Sequence, residues 1–293
     1  MRAIRAQQYR RDSPPRVCED RLVPHAPLPT HTDLHHTVAE LRLEPTGTPF
    51  HSQTSLLCPA IHDGQSVFVK ITNDPEELLG TEALDRWAGT GAVQVLARFR
   101  NAVVLEHAGQ TLRSMLADDT EAATVLCLVA DRLHSHHVEH VESFPGLRRW
   151  FSALFADTDP ELDVVRDIAD RLLSAPAQQV LLHGDLHHDN VLYSTRRGWL
   201  AIDPKGIVGP REFDYCNLFT NPTPKSALNY FDTRLRVVTD TSGIDTIELL
   251  RWITCWSALS AIWHRHDGNV ATAALPHAIT GLAMERLRTH RAL

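Results

Sequence analysis

The most constraining feature of this chain is a polar loop between two short apolar runs. The runs are Val180 to Leu182 and Trp199 to Ile202, and the loop after the first reads His183-Gly184-Asp185-Leu186-His187-His188-Asp189-Asn190. Asp203-Pro204 closes the second run. Apolar runs this short, next to polar and glycine-containing turns, read as buried strands. They place Asp185, Asn190 and Asp203 at strand ends, where a buried scaffold can aim polar side chains into a cleft. A satisfied polar turn is the plain alternative, since Asp and Asn are common in turns. A transition-metal site built from His183, Asp185, His187, His188 and Asp189 is a weaker alternative. No H-E-x-x-H helix is present, and successive ligands in one short loop rarely face a single ion.

The conjunction carries more than any single part. Four residues separate Asp185 from Asn190, and a further carboxylate follows a strand later. Phosphoryl transfer is mostly positioning and charge stabilisation, and it needs this set. A carboxylate (Asp185) orients or deprotonates the acceptor hydroxyl, while an amide and a second carboxylate (Asn190, Asp203) hold Mg²⁺. Lys70 ends the apolar strand Val67-Phe68-Val69 and fits the lysine that grips nucleotide phosphates. Its expected partner is Glu82 on the following helix, with Glu77 the fallback; periodicity alone does not choose between them. Ser52 and Thr54 sit where a phosphate-covering loop belongs, although no G-x-G-x-x-G or Walker-type pattern occurs. Glu106 and Ala108 fall where a hinge would offer backbone groups to adenine.

The rest of the chain organises around this loop. Thr54 to Ile61 and Ser66 to Ile71 flank Asp63-Gly64, a hairpin signal. Asp74-Pro75-Glu76-Glu77 starts a helix that ends near Gly89 or Gly91. A second hairpin spans Ala92 to Glu106, and the pattern is then mainly helical. The expected class is α+β, with a small β-rich lobe and a larger, mainly helical lobe, a protein-kinase-like layout. Expected boundaries are a Pro/Arg/His-rich arm at 1–34, a nucleotide-binding lobe at 35–108, and a catalytic and acceptor lobe at 109–293.

Composition sets the exclusions. A formal net charge of −7 argues against a nucleic-acid binder. The apolar stretch Trp252 to Trp263 is too short to span a bilayer and reads as a buried helix. Five scattered cysteines without C-x-x-C, and a basic start without an apolar core, lead us to expect a cytoplasmic protein. A monomer is the default expectation.

HGDLHHDNVL followed by GWLAIDPKGIVGPREFDYCNLFTNP resembles the aminoglycoside and hydroxyurea antibiotic-resistance kinases. The resemblance extends over roughly residues 40 to 285. It implies a protein-kinase-like fold using ATP and Mg²⁺, with Asp185 as catalytic Asp, Asn190 and Asp203 as metal ligands and Lys70 as phosphate lysine. It also implies that Asp214 braces the catalytic loop through the loop's backbone. The acceptor would be a small-molecule hydroxyl, with streptomycin as first candidate and hydroxyurea or another metabolite as alternative. For a cationic acceptor, Glu212, Asp214 and Asp267 are the available carboxylates, with Asp214 also the expected brace. A nucleotide-binding sensor without transfer activity is the alternative from another class, motivated by the glycine-poor loop.

Overall fold

A computed structural model describes residues 26–291. The small lobe begins with helix α1 (His31–Glu40), capped by Thr30 and Asp33 in a reciprocal box. Leu34 of this helix is buried in the same apolar cluster as Leu56, Val69 and Ile71 of the sheet. The small lobe therefore includes residues assigned to the arm, and its boundary moves back to about the start of α1. Residues 1–25 of the expected arm lie outside the described residues.

Strands β1 (Glu44–Pro45) and β2 (Phe50–His51) pair in turn with one edge of β3 (Ser55–His62), and β4 (Gln65–Thr72) pairs with the other. Asp63 (φ 47°) and Gly64 (φ 74°) both adopt positive φ in the β3–β4 turn. That geometry matches the twist of the strands and explains the Asp-Gly pair. Helix α2 (Pro75–Trp87) follows, and its N-cap Asp74 accepts from the amides of Glu76 at 3.0 Å and Glu77 at 3.3 Å. The hairpin β5 (Val95–Phe99) and β6 (Ala102–Glu106) completes an antiparallel sheet ordered β1-β3-β4-β6-β5.

The large lobe contains α3 (Leu112–Met115), α4 (Asp119–Ser135), α5 (Leu147–Trp150), α6 (Ser152–Ala156) and α7 (Asp163–Ser174). Two small antiparallel pairs then carry the catalytic loops. Strand β7 (Val180–Leu182) pairs with β10 (Ile207–Gly209), and β8 (Val191–Ser194) pairs with β9 (Gly198–Ala201). A 3₁₀ segment, Arg211–Thr220, leads to α8 (Pro224–Asn229), α9 (Phe231–Ser242), α10 (Thr246–His266) and α11 (Val270–Thr289). Among the described residues, no helix is long and apolar enough to cross a membrane.

Helix α10 is the hub of the large lobe. Trp252, Trp256 and Trp263 are at most 2% exposed, and each large apolar side chain buried this way contributes roughly 1.5–3 kcal/mol. Helix α11 packs along α10 through Ala273, Pro276, Ile279, Ala283 and Leu287. The sequence reading had not delimited this helix, which accommodates Pro276 in its interior. The lobes are tied by backbone pairing: Val93 N–H donates to Ala201 O at 3.0 Å, and Ala201 N–H to Gly91 O at 2.9 Å.

Candidate active site

Asp185 sits in the loop between β7 and β8, and its carboxylate is held from three sides. Asn190 Nδ2 donates to Oδ2 at 3.2 Å, Asn217 Nδ2 donates to Oδ1 at 2.8 Å, and His187 Nε2 lies 3.5 Å from Oδ1. His187 Nδ1 accepts from the Asp189 amide at 3.2 Å, so the ring hydrogen is on Nε2, facing Asp185. Burial pushes the Asp185 carboxyl up to about 6, against the pull of His187 and Lys205. A carboxylate with a raised pKa and fixed geometry is suited to taking a proton near neutral pH.

The loop is braced from beneath by Asp214. Its two oxygens accept the backbone amides of His183 at 2.9 Å and Gly184 at 2.7 Å, and His134 Nε2 lies 2.8 Å away. Its side chain is fully buried. Asp214 is therefore placed as a brace and not as a substrate contact: its oxygens are taken by two loop amides and His134, and it does not line the cavity that Asp185 opens into. Burial opposes its charge, but these donors outweigh the penalty and hold its pKa below the usual carboxylate value. His183 donates through Nε2 to Ile202 O at 2.9 Å, and its Nδ1 accepts the Asp185 amide at 3.2 Å. Burial lowers its pKa to about 4, consistent with a neutral structural ring.

Lys70, on β4, is 8% exposed and pairs with both Glu77 and Asp203. The expected Glu82 partner is a correction. Glu82 faces outward and pairs with Arg86 at 3.1 Å, one turn along the same helix. Glu77 and Glu82 are five positions apart, about 140° around a helix, so only one can face the strand. Packing decides which. A side chain at Gly80 would place its Cβ 2.0 Å from Pro204 O, so the glycine face of α2 lies directly on the loop after Asp203. That contact turns Glu77 inward.

Glu77 also holds a second buried cation that the sequence reading passed over. Lys205 Nζ lies 3.3 Å from Glu77 Oε1 and is 7% exposed. Burial alone would lower its pKa, but Glu77, Asp185 and Asp203 outweigh that and keep it charged; carboxylates do the same for Lys70. Burial likewise opposes the charge of Asp203, yet Lys70 and Lys205 hold it well below the carboxylate range. The signal for Lys205 in the sequence was a lysine immediately after a buried strand's Asp-Pro.

Two cavities meet at this loop. One, of about 390 Å³ between the lobes, is lined by Lys70, Glu77, Asn190, Asp203 and Lys205. Ser52, Thr54, Glu106 and Ala108 reach the same cleft. Ser52 Oγ is partly spent on its own turn, accepting the Ser55 amide at 3.1 Å. The Glu106 carboxylate is engaged by Arg197 and by the Gln94 amide at 3.1 Å.

The second cavity, of about 520 Å³, opens from Asp185 toward α8, α10 and α11. Trp256, Ser260 and His264 line it from one stripe of α10, at i, i+4 and i+8. Ser260 and His264 were legible as polar residues on that stripe of an otherwise apolar helix. Asp185 is the only carboxylate among the described residues lining this cavity. Asp267 does not line it. It is exposed at the C-terminal end of α10, where the chain turns at Gly268 (φ 75°), three residues beyond His264. The expected substrate contact from Asp267 is therefore not supported, since the residue lies outside the lining of this cavity.

Comparison with known proteins identifies the family and the fold. Residues 41–268 match the family model of the aminoglycoside/hydroxyurea antibiotic resistance kinases. The chain is 36% identical to streptomycin 3''-kinase of Klebsiella pneumoniae, covering 84% of this chain and 98% of that protein. It is 30% identical to hydroxyurea phosphotransferase of Kitasatospora aureofaciens (78% and 71% covered). Streptomycin 6-kinase of Streptomyces griseus is 28% identical (75% and 78% covered). Among solved structures, an amicoumacin kinase superposes with a TM-score of 0.59 at 14% identity, covering 86% of this chain and 94% of that one. An aminoglycoside phosphotransferase solved with ADP and hygromycin B gives 0.55 at 14% identity (84% and 97% covered). These structural likenesses establish the protein-kinase-like fold. The chain belongs to the aminoglycoside/hydroxyurea antibiotic resistance kinase family and is a phosphotransferase with an alcohol group as acceptor.

Proposed function

We propose that this protein transfers the γ-phosphoryl group of ATP, with Mg²⁺, to a hydroxyl of an aminoglycoside, with streptomycin as the first acceptor to test. The observation that carries the reading is the junction at Asp185. Its carboxylate lines one cavity, and Asn190, hydrogen-bonded to it, lines the other beside Lys70 and Asp203. A nucleotide in the interlobe cleft and an acceptor in the second cavity then meet at one carboxylate.

The donor set fits Mg²⁺. Asn190 and Asp203 offer hard oxygen donors, and no group of three or more His, Cys, Asp or Glu among the described residues forms a protein cage. Mg²⁺ suits such a site, since it is usually bound by one or two protein oxygens plus substrate phosphates and waters. Bound there, it would neutralise charge on the phosphates. Lys70 contributes fixed positive charge to the phosphate end, with Glu77 keeping it extended. Asp185 accepts the proton of the attacking hydroxyl, and Asn217 and His187 hold the carboxylate in line for that hydroxyl.

The acceptor cavity favours an antibiotic-sized molecule over hydroxyurea. Its volume of about 520 Å³ lies in the range of drug-sized sites, far more than hydroxyurea fills. Asn217, Thr220, Asn221 and Ser260 offer amide and hydroxyl partners for sugar hydroxyls, and Trp256 offers an aromatic surface. The test is direct: the purified chain, ATP and Mg²⁺ are incubated with streptomycin, other aminoglycosides and hydroxyurea, and products are read by mass spectrometry. A phosphorylated streptomycin is the expected result. Phosphorylation of hydroxyurea alone would overturn the choice of acceptor, and bound nucleotide with no phosphorylated product would favour a sensor.

Glu77→Gln is expected to raise the KM for ATP about tenfold or more, because both buried lysines lose their shared counter-ion. Glu82→Gln removes only an exposed pair worth about 0–1 kcal/mol and is expected to leave the kinetics unchanged. Steady-state kinetics on the two variants checks the assignment, and the reverse pattern would restore Glu82.

A further inference from the structure

The nucleotide cleft contains one more buried cation than phosphate gripping by Lys70 requires. Lys205 follows Asp203 by two residues and is anchored over the catalytic turn, its backbone N–H donating to His183 O at 2.7 Å. Close approach at that point needs a glycine. Gly184 has φ 78°, and a Cβ there would lie 3.1 Å from Lys205 Cβ. The Lys205 side chain is therefore held beside the Asp185 turn by the backbone itself.

The two lysines differ in how they are satisfied. Lys70 pairs with two carboxylates, Glu77 and Asp203. Lys205 has one hydrogen-bond partner among the described residues, Glu77 Oε1, at a long 3.3 Å. An ammonium has three N–H donors, so two remain for a ligand. These donors belong to a side chain only 7% exposed that lines the cleft. The contacts with His183 and Gly184 put Lys205 on the Asp185 side of the cluster, and Glu77 serves the two cations with one oxygen for each.

We propose that Lys205 binds the γ-phosphoryl group during transfer, while Lys70 holds the part of the nucleotide that stays behind. This rests on the reading of the cleft as an ATP site. In the step, the acceptor oxygen forms a bond to the γ-phosphorus as the bond to the β–γ bridging oxygen breaks. The bonding pair leaves with ADP, and the hydroxyl proton passes to Asp185. Lys205 keeps its protons and donates hydrogen bonds to a non-bridging oxygen of the group in flight. A fixed donor placed where charge moves in the transition state stabilises it with no reorganisation, and losing one such donor typically costs about 10²–10³ in rate.

The test uses Lys205→Met, Lys205→Arg and Lys70→Met in the full chain. Readouts are kcat and KM, affinity for the non-hydrolysable analogue AMP-PNP, and affinity for ADP with aluminium fluoride, a mimic of the phosphoryl group in flight. Where no acceptor turns over, release of phosphate to water is the rate followed. We expect Lys205→Met to lower kcat about 10²–10³-fold and to weaken ADP–aluminium fluoride to a similar degree, with AMP-PNP affinity within about threefold of wild type. Lys205→Arg keeps the charge and is expected to recover part of the rate. Lys70→Met is expected to weaken AMP-PNP instead. Unchanged turnover in Lys205→Met, or equal weakening of AMP-PNP and the fluoride complex, would overturn the role. If Lys205→Met does not fold, Lys205→Arg decides alone: it must fold and bind AMP-PNP normally yet transfer more slowly, and a wild-type rate counts against the proposal. Wild-type protein that binds no nucleotide would instead overturn the underlying reading of the cleft.

Discussion

Asp185→Ala is expected to lower kcat about 10²–10⁴-fold while nucleotide affinity stays near that of wild type. The carboxylate lines the acceptor cavity; in the nucleotide cleft beside it Asp203 is untouched by the change, and Asn190 keeps its bond to the Asp185 backbone oxygen at 2.9 Å. The fold is expected to survive. Burial raises the Asp185 carboxyl to about 6, so its ionised form is disfavoured in the folded protein relative to the unfolded chain. That cost is absent well below the unfolded carboxyl's pKa of about 4, grows as pH rises toward 6, and is full above it. Alanine removes it, and the opposing loss is two amide hydrogen bonds, from Asn190 and Asn217. Kinetics beside AMP-PNP titration and thermal melts at about pH 7.5 separate the roles. Turnover within a few fold of wild type would remove Asp185 from the chemistry, and a collapsed melting temperature would make it a structural residue.

Arg234→Ala is expected to destabilise the fold by about 3–5 kcal/mol. Arg234 is fully buried on α9 and forms a two-pronged pair with Asp119 of α4, at 2.8 Å and 2.5 Å. The same guanidinium donates to Leu218 O and Asn221 O, each at 2.6 Å. Alanine would leave a nearly buried carboxylate and two backbone carbonyls without their cation. It would also release the 218–221 turn, whose Thr220 and Asn221 line the acceptor cavity. The acceptor KM is therefore expected to rise while the KM for ATP holds. Urea unfolding gives the stability change, and paired KM measurements give the second effect. Since a buried pair replaced by apolar groups is often tolerated, Arg234→Met with Asp119→Leu is expected to recover part of the stability. A loss below about 1 kcal/mol in Arg234→Ala would show that the pair is not structural.

Local chemistry was sufficient for much of the site. The Asp-Gly turn required positive φ at both central positions, the Asp74-Pro75 start satisfied the first amides of α2, and the loop from His183 to Asn190 carries its functional groups within eight residues. Such signals lie within one turn or one loop, so a linear reading reaches them. The α1 boundary was missed because Leu34 is buried by a sheet formed later in the chain. Helix α11, which the sequence reading did not delimit, holds Pro276 in its interior and packs along α10.

What the sequence determined alone was the identity and order of the chemical groups: Lys70 on a strand, Asp185 and Asn190 in one loop, Asp203 after the next strand. Which groups meet was decided only by tertiary structure. Glu77 and Glu82 are both glutamates of α2, and the contact of Gly80 with Pro204 selects between them. Asp214 and Asp267 are both acids near the acceptor region in sequence. One is fully buried against loop amides, and the other is exposed beyond the end of α10. Lys205, one of three lysines in the sequence, had no assigned role until the fold set it opposite Lys70 across a shared carboxylate. The physical reason is common to all three. A side chain's partner depends on the rotation and depth of its element against another that is distant in sequence, and close packing fixes both only once the lobes are assembled.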